Sequence, residues 1–206
     1  MVVIKETTAY RKQLKAKIME AAMTAFTQKG IRAVKMDDIA TSLAISKRTL
    51  YEIYEDKEHL LYESIKHYDG LRRKQIEEYA AQQHSVIDVI LEGYRMKVRE
   101  LRKVNPAFYA DIMKYPQLAT YIKNNNERAR EDFVAFLERG VEEGYLRPDV
   151  NYKMIPHMFD ALGQYIITSK LLDEYSLDEL FTNCVLVSIR GLCTAAGLKA
   201  MDDAKL

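Results

Sequence analysis

The chain has 206 residues and a formal net charge of +1, with 48% hydrophobic and 30% charged residues. This length can bury a sizeable core in one or two domains, and the composition is ordinary for a soluble globular protein. Neither a signal-type apolar stretch nor a run that could span a bilayer is visible, so we expect a cytoplasmic protein with no membrane partner. The two cysteines, Cys184 and Cys193, lack metal-site spacing and are expected to be buried free thiols.

The charge is distributed unevenly along the chain. Residues 1–50 carry ten Lys and Arg against four Asp and Glu, a net charge of +6. The other 156 residues carry 21 basic and 26 acidic side chains, a net charge of −5. A basic N-terminal part on an acidic remainder fits a nucleic-acid-binding head joined to a body with a different task.

Helical periodicity runs through almost the whole chain, and only 8 Gly and 4 Pro are present to interrupt it. The first helix is predicted from about Tyr10 to Lys29, and two short helices joined by a tight turn follow it. Further helices are predicted over residues 56–82 and 85–104, from 106, and over 117–143, 152–172 and 177–196, with a loop at 144–149.

These elements predict an all-α fold. We expect an N-terminal three-helix helix-turn-helix head over residues 1–56, and a C-terminal helical bundle for ligand binding and dimerisation over residues 57–206.

The segment Met36–Leu61 is the most informative stretch. Its apolar residues follow helical spacing, so that each short helix has one inward face: Ile39, Ala40, Leu43, Ile45, Leu50 and Ile53. Ser46 stands where the second helix needs an N-cap, and Lys47, Arg48 and Thr49 fill its first turn. Arg and Lys can pair with O6 and N7 of guanine, and Thr can meet a thymine methyl group or a phosphate. The pattern predicts a helix-turn-helix whose second helix enters a major groove.

Three residues beyond this turn are predicted to contact the DNA backbone. Tyr51 and Tyr54 can reach phosphates through their hydroxyls, and the alternative is that they pack the head together. Lys57, at the start of the fourth helix, can add a positive charge to one phosphate.

The segment Lys17–Leu61 resembles the DNA-binding domain of the tetracycline-repressor (TetR) family. The residues that carry the resemblance are Ala22, Phe26, Gly30, Asp38-Ile39-Ala40, Leu43, Ile45-Ser46-Lys47-Arg48-Thr49-Leu50-Tyr51, Tyr54, Lys57-Glu58 and Leu60-Leu61. The rest of the chain resembles the family only in layout. The resemblance implies a ligand-responsive transcriptional regulator, usually a repressor, that binds a pseudo-palindromic operator as a homodimer and is released by a small-molecule effector.

Two places depart from the family pattern. Ala44 stands at a turn position that is usually Gly, and a positive φ there would cost about 1–2 kcal/mol. At the start of the first motif helix the family often has a Thr cap and a polar or basic contact residue, where this chain has Lys35, Met36 and Asp37. Asp37 can accept from a cytosine N4, but an interaction with the helix dipole is the favoured role. The predicted DNA-binding residues are Met36, Ser46, Lys47, Arg48, Thr49, Tyr51, Tyr54 and Lys57.

The body supplies two further predicted surfaces. The last two helices form the predicted dimer seam, with Met158, Ala161, Leu162, Cys184, Val187, Ser188 and Gly191, and the alternative is packing within one subunit. The effector pocket is expected among aromatic and Met residues, namely Tyr94, Phe108, Met113, Tyr115, Phe133, Phe136, Met158 and Tyr165, and the alternative is ordinary bundle core.

The sequence does not point to an enzyme. The four histidines, His59, His67, His84 and His157, form no zinc or di-iron pattern, and neither a nucleophile elbow nor a phosphate-binding Gly loop is present. We therefore expect no catalytic residues, cofactor or metal. The rival function is a DNA-binding architectural or recruitment protein that has no effector.

Overall fold

The computed structural model describes residues 2–112, 114–171 and 174–204, which fold into α-helices joined by turns. The helices are α1 (Val2–Lys29), α2 (Met36–Ser42), α3 (Lys47–Tyr51), α4 (Lys57–Ala80), α5 (Val86–Leu101), α6 (Pro106–Ile112), α7 (Pro116–Glu142), α8 (Ile155–Thr168), α9 (Leu177–Leu180), α10 (Val187–Leu192) and α11 (Ala195–Asp203). A 3₁₀ turn precedes α8, and a π-helical segment, Phe181–Leu186, joins α9 to α10. The predicted all-α class is confirmed, although α1 begins eight residues earlier than expected.

Packing divides the chain into two compact units. Unit 1 contains Met1–Arg73 and Lys103–Lys123, and unit 2 contains Lys74–Arg102 and Asn124–Leu206. The predicted boundary after residue 56 concerns function and stays a prediction. In packing terms, unit 1 takes in the first part of α4 and all of α6. Among the described residues, no helix combines the length and apolar character that crossing a bilayer would require.

The core of unit 1 is built from the inward faces of α1 to α4 together with one buried residue of α6 and one of α7, Leu118. Its fully buried large side chains include Ile18, Phe26, Ile31, Ile39, Leu50, Leu60 and Leu61. Phe108 of α6 is buried in the same cluster. The three-and-four spacing of these residues is what gives each short helix its single apolar face.

Asn105 fastens the beginning of α6 to the end of α1. Its backbone N–H donates to the Thr27 carbonyl at 2.7 Å, and its side-chain amide donates to the Gln28 carbonyl at 3.2 Å. Its Oδ1 also accepts from the Ala107 N–H at 2.9 Å. Gly30 ends α1 with φ +81°, and a Cβ at that position would lie 3.0 Å from the Ala107 side chain. One asparagine therefore caps two helices at a close approach that suits glycine.

The core of unit 2 joins α5 to the end of α7 and to the C-terminal helices. Its buried residues include Val86, Ile87, Leu91, Leu137, Leu146, Tyr152, Leu192 and Cys193. Glu143 follows α7 and accepts from the Val86 N–H at 3.0 Å, while Ser85 accepts from the Asp88 N–H as the N-cap of α5. These contacts satisfy orphan donors at the start of α5.

The C-terminal end differs from the prediction. The helix expected to continue to residue 196 ends at Leu192, and α11 begins after Thr194, whose hydroxyl accepts from the Gly197 N–H at 3.2 Å. The Thr194 N–H donates to the Tyr145 carbonyl at 2.9 Å. A Cβ on Gly197 would collide with that same carbonyl, so the crossing requires glycine.

The turn between α2 and α3 contains Ala44, the residue for which the sequence raised the possibility of a positive φ. Ala44 has φ +53°, and its side chain is exposed. The Ile45 N–H donates to the Ala40 carbonyl at 3.1 Å and closes the turn. Ala44 therefore carries strain that no burial of its methyl group offsets.

Ala44→Gly should raise the free energy of unfolding by about 0.5–1 kcal/mol. Relief of about 1–2 kcal/mol of strain is partly offset by the greater freedom of Gly in the unfolded chain. Urea unfolding followed by circular dichroism measures the change. The control Ala16→Gly, at an exposed position inside α1, should lower stability by about 0.5–1 kcal/mol, and a loss of stability in both variants would contradict the strain at Ala44.

Candidate nucleic-acid interface

The short helix α3 is held by its cap and by one buried side chain. Ser46 is the N-cap, as predicted, and its Oγ accepts from the Thr49 N–H at 3.0 Å. The two hydroxyls of Ser46 and Thr49 also lie 2.8 Å apart. Leu50 is fully buried in the core of unit 1. These contacts fix which side of α3 points inward.

The opposite side of α3 forms an exposed polar surface. Arg48 has 89% and Lys47 65% of its side chain exposed, and Tyr51 is 48% exposed. Thr49 lies between them and is partly exposed. We call these four residues the recognition surface. They are predicted DNA-binding residues that the structure brings together on one short helix.

Both cations of the recognition surface have a carboxylate partner. Lys47 donates to Asp37 of α2, and Arg48 Nε donates to Glu52 Oε1 at 2.9 Å. The hydrogen bond that Arg48 donates to Glu52 raises the pKa of the Arg48 guanidinium above its usual range. Because these pairs are exposed, they stabilise the fold little and leave both cations able to exchange partners.

Met36 and Tyr54 lie inside unit 1. Met36 is buried in the core cluster. Tyr54 is 3% exposed, and its hydroxyl donates to the Lys15 carbonyl at 3.4 Å. Burial raises the pKa of Tyr54 to about 12. Both side chains belong to the core, so we leave Met36 and Tyr54 out of the proposed interface. Tyr54 packs within the head, which is the alternative that the sequence left open.

Lys57 also has its partners within unit 1. Its ammonium donates to the Ile31 carbonyl at 3.1 Å and to the Val34 carbonyl at 3.0 Å. Both carbonyls belong to the segment between α1 and α2, which lacks helical partners for them. These hydrogen bonds hold the connection between α1 and α2, and the phosphate contact of Lys57 stays a prediction.

The start of α2 is capped in a way that compensates for Lys35. The Asp38 carboxylate accepts from the Lys35 backbone N–H at 2.9 Å. This is the reciprocal half of a capping box, and it satisfies one orphan donor although the Lys35 side chain has no acceptor. Asp38 thus has a structural contact with the backbone, whereas its neighbour Asp37 contacts Lys47.

Sequence reasoning missed Arg11 as part of this region. Its guanidinium donates to the Glu52 carbonyl at the end of α3, at 3.2 Å. Lys12 and Lys15 are exposed on the same helix. The signal was present in the basic run of α1, but only the fold places this run beside α3.

In unit 2, several large apolar side chains are exposed to solvent. They belong to α8, to the 3₁₀ turn before it and to α10. They are Met154, Met158, Tyr165 and Val187, and we call them the exposed apolar residues. Tyr165 and Val187 are each 59% exposed. The other predicted seam residues Ala161 and Gly191 are exposed, and Leu162, Cys184 and Ser188 are partly buried. Met158 and Tyr165 therefore fit an interface better than an enclosed pocket.

The remaining predicted pocket residues are divided between the units. Phe108 is buried in the core of unit 1, and Tyr115 packs against that core. Met113 lies outside the described residues. These positions favour the alternative that Phe108 and Tyr115 are ordinary core residues.

Three predicted pocket residues stay partly buried in unit 2. Phe133 and Phe136 form an aromatic cluster with Phe159, with ring centroids 6.4 and 6.5 Å from that of Phe133. Tyr94 stacks on Phe181. A groove of 460 Å³ between α7 and α8 is lined by other residues, namely Arg130, Glu131, Val134, Ala135, Glu138, Lys153, Pro156 and His157. Within the described residues, no three His, Cys, Asp or Glu converge as a metal site would require.

Comparison with known proteins gives consistent results. Residues 18–63 match the family described as "Bacterial regulatory proteins, tetR family". The chain is 26% identical over 154 residues to the HTH-type transcriptional repressor KstR2 of Mycobacterium tuberculosis, covering 68% of this chain and 73% of the relative. It is 24% identical over 185 residues to the HTH-type transcriptional regulator UidR of Escherichia coli K12, covering 88% and 94%. A transcriptional regulator from Saccharomonospora viridis in complex with choline has the same fold, with a TM-score of 0.71 and 16% identity over 89% of this chain and 99% of that one.

Proposed function

We propose that this chain binds a pseudo-palindromic operator as a homodimer and is released from it by a small-molecule effector. The chain belongs to the tetR family of bacterial regulatory proteins and regulates transcription through its DNA-binding helix-turn-helix. Repression is the proposed outcome, since the relative KstR2 is named a repressor. A bacterial regulator meets its chromosomal operator in the cytoplasm, so we propose that the protein acts there. The observation that carries the proposal is the recognition surface on α3.

Lys47 and Arg48 are the proposed base-reading residues. Both lie in the first turn of α3, the end that a recognition helix inserts into the major groove. Their long side chains are exposed, and their donors match the O6 and N7 acceptors of guanine. Thr49 and Tyr51 lie beside them, and their proposed contacts are the thymine methyl group and the DNA backbone.

Lys47→Ala and Arg48→Ala should each weaken operator binding by at least about fivefold, because each removes a base contact worth about 1–3 kcal/mol. Gel shifts with a duplex that the wild-type protein selects from a random pool measure the loss. Lys29→Ala is the matched control, since it removes the same charge from an exposed position at the end of α1. Affinities equal to the control would refute the assignment of α3 as the reading helix.

The exposed apolar residues support the proposed homodimer. Two heads related by a two-fold axis can read a pseudo-palindrome, and this needs a self-complementary surface outside the heads. In the single chain, the large apolar side chains of three residues are exposed to solvent, namely Met158, Tyr165 and Val187. A Cβ on Gly163 or Gly191 would meet nothing within 4 Å, which leaves room for a close neighbour.

Val187→Glu should convert the protein from a dimer to a monomer of 23.9 kDa, because a charge would be buried in an apolar interface. Sedimentation velocity reports the mass, and operator binding should fall with it. Leu71→Glu is the matched control, since Leu71 is an exposed apolar residue of α4 in unit 1. A wild-type monomer, or a Val187→Glu dimer, would argue against this seam.

The proposed effector site lies in unit 2, among Tyr94, Phe133 and Phe136. All three side chains are partly buried, and Phe159 belongs to the same aromatic cluster as Phe133 and Phe136. Apolar aromatic rings together with one polar group, the Tyr94 hydroxyl, suit small-molecule binding. The choline complex of the Saccharomonospora viridis regulator supports ligand binding by a protein of this fold.

Native mass spectrometry of protein purified from its own host should detect a bound small molecule, and addition of that molecule should release operator DNA in a gel shift. Phe136→Leu should retain less of the molecule while operator binding without the ligand stays unchanged. A mass without adduct in every preparation, together with operator binding that no retained compound affects, would favour the architectural or recruitment protein instead.

A further inference from the structure

A carboxylate lies on the surface that we propose for DNA reading. Asp37 is the second residue of α2 and Lys47 the first of α3, and the Lys47 ammonium donates to Asp37 Oδ2 across the turn between the helices. The two side chains are 47% and 65% exposed. Exposed pairs contribute little to stability. A negative charge beside DNA-binding cations therefore calls for a reason other than folding.

The contacts of Asp37 also separate it from its neighbour Asp38. Asp38 accepts from the Lys35 backbone N–H and so caps α2. The Asp37 carboxylate has Lys47 as its hydrogen-bonding partner instead. The sequence alone favoured an interaction of Asp37 with the helix dipole. Its contact in the structure instead favours a role together with Lys47.

The pair matches the major-groove edge of one base pair. An ammonium has three donors, so a hydrogen bond to Asp37 leaves two for other acceptors. A G·C pair presents two neighbouring acceptors, guanine N7 and O6, followed by one donor, cytosine N4. In an A·T pair the N6 donor lies between the N7 and O4 acceptors, so a carboxylate that accepts from N6 also meets the thymine O4 acceptor.

We propose that Asp37 and Lys47 read one G·C base pair in each half-site as a unit. Lys47 donates to N7 and O6 of the guanine, and Asp37 accepts from N4 of the paired cytosine. The same carboxylate repels phosphate oxygens, so it disfavours the non-specific backbone contacts that an unpaired lysine would make. Asp37 is thus a specificity-determining residue, and its role rests on the proposed function of the recognition surface.

The test is selection of full-length wild-type and variant proteins on a random DNA pool, followed by sequencing. The wild type should prefer G·C at one position of each half-site. Asp37→Asn should reduce that preference by about fivefold, because the neutral amide no longer forms an ion pair with Lys47 and its NH₂ group can donate to the acceptors of other bases. Lys47→Ala should relax the same position. Asp37→Asn should also bind non-specific DNA more tightly than the wild type.

Asp38→Asn is the matched control. It removes the same charge from the next residue, and its amide oxygen can still accept from the Lys35 N–H, so every base preference should persist. Circular dichroism of each variant verifies folding, and Asp37→Ala, which removes the acceptor for cytosine N4 altogether, provides a second variant for the same measurement.

The outcomes distinguish this inference from the proposed function. Unchanged preferences in Asp37→Asn, or relaxation of different positions by Asp37→Asn and Lys47→Ala, would overturn the paired readout while leaving a sequence-specific regulator. A wild-type protein that selects no sequence from the pool would overturn the proposed function and the paired readout together.

Discussion

The presentation of the proposed DNA-reading side chains depends on the burial of Leu50. A helix of five residues has almost no stability of its own in water, because nucleation outweighs the few hydrogen bonds it gains. Full burial of a Leu side chain contributes about 1.5–3 kcal/mol and fixes the rotation of α3 about its axis. Arg48 and Tyr51 are exposed for that reason. Lys57 stabilises the adjoining connection through the carbonyls of Ile31 and Val34.

The core that holds α3 extends beyond the helix-turn-helix itself. A fragment ending at residue 56 would lack Leu60 and Leu61 of α4 and Phe108 of α6. On α6, Asp111 accepts from the Arg32 N–H at 3.1 Å. Burial opposes the charge of Asp111, but its hydrogen bonds to Lys114 and to that N–H outweigh burial and lower its pKa. The chain that leaves unit 2 after residue 102 and returns at 124 therefore secures the segment between α1 and α2.

The sequence predicted what short-range rules determine and missed what long-range contacts determine. Ser46 and the apolar face around Leu50 follow from capping and periodicity within one turn of helix. Tyr54 and Lys57 have partners 39 and up to 26 residues away, so their polar atoms looked available for DNA. The start of α11 carried a local signal, Thr194 as N-cap, which the continuing apolar run obscured.

The shortness of α3 limits the DNA specificity of one head and so gives the proposed dimer its purpose. One head offers two long cations, Lys47 and Arg48, and each good base contact is worth about 1–3 kcal/mol. Specific regulators exceed their non-specific binding by about 4–10 kcal/mol, since a genome offers very many competing sites. A single recognition surface therefore falls short or barely suffices, and duplication in the proposed dimer doubles the contacts without lengthening α3. Exposed apolar side chains such as Tyr165 and Val187 are what the proposed dimer needs, because a monomer with a short reading helix would lack sufficient specificity.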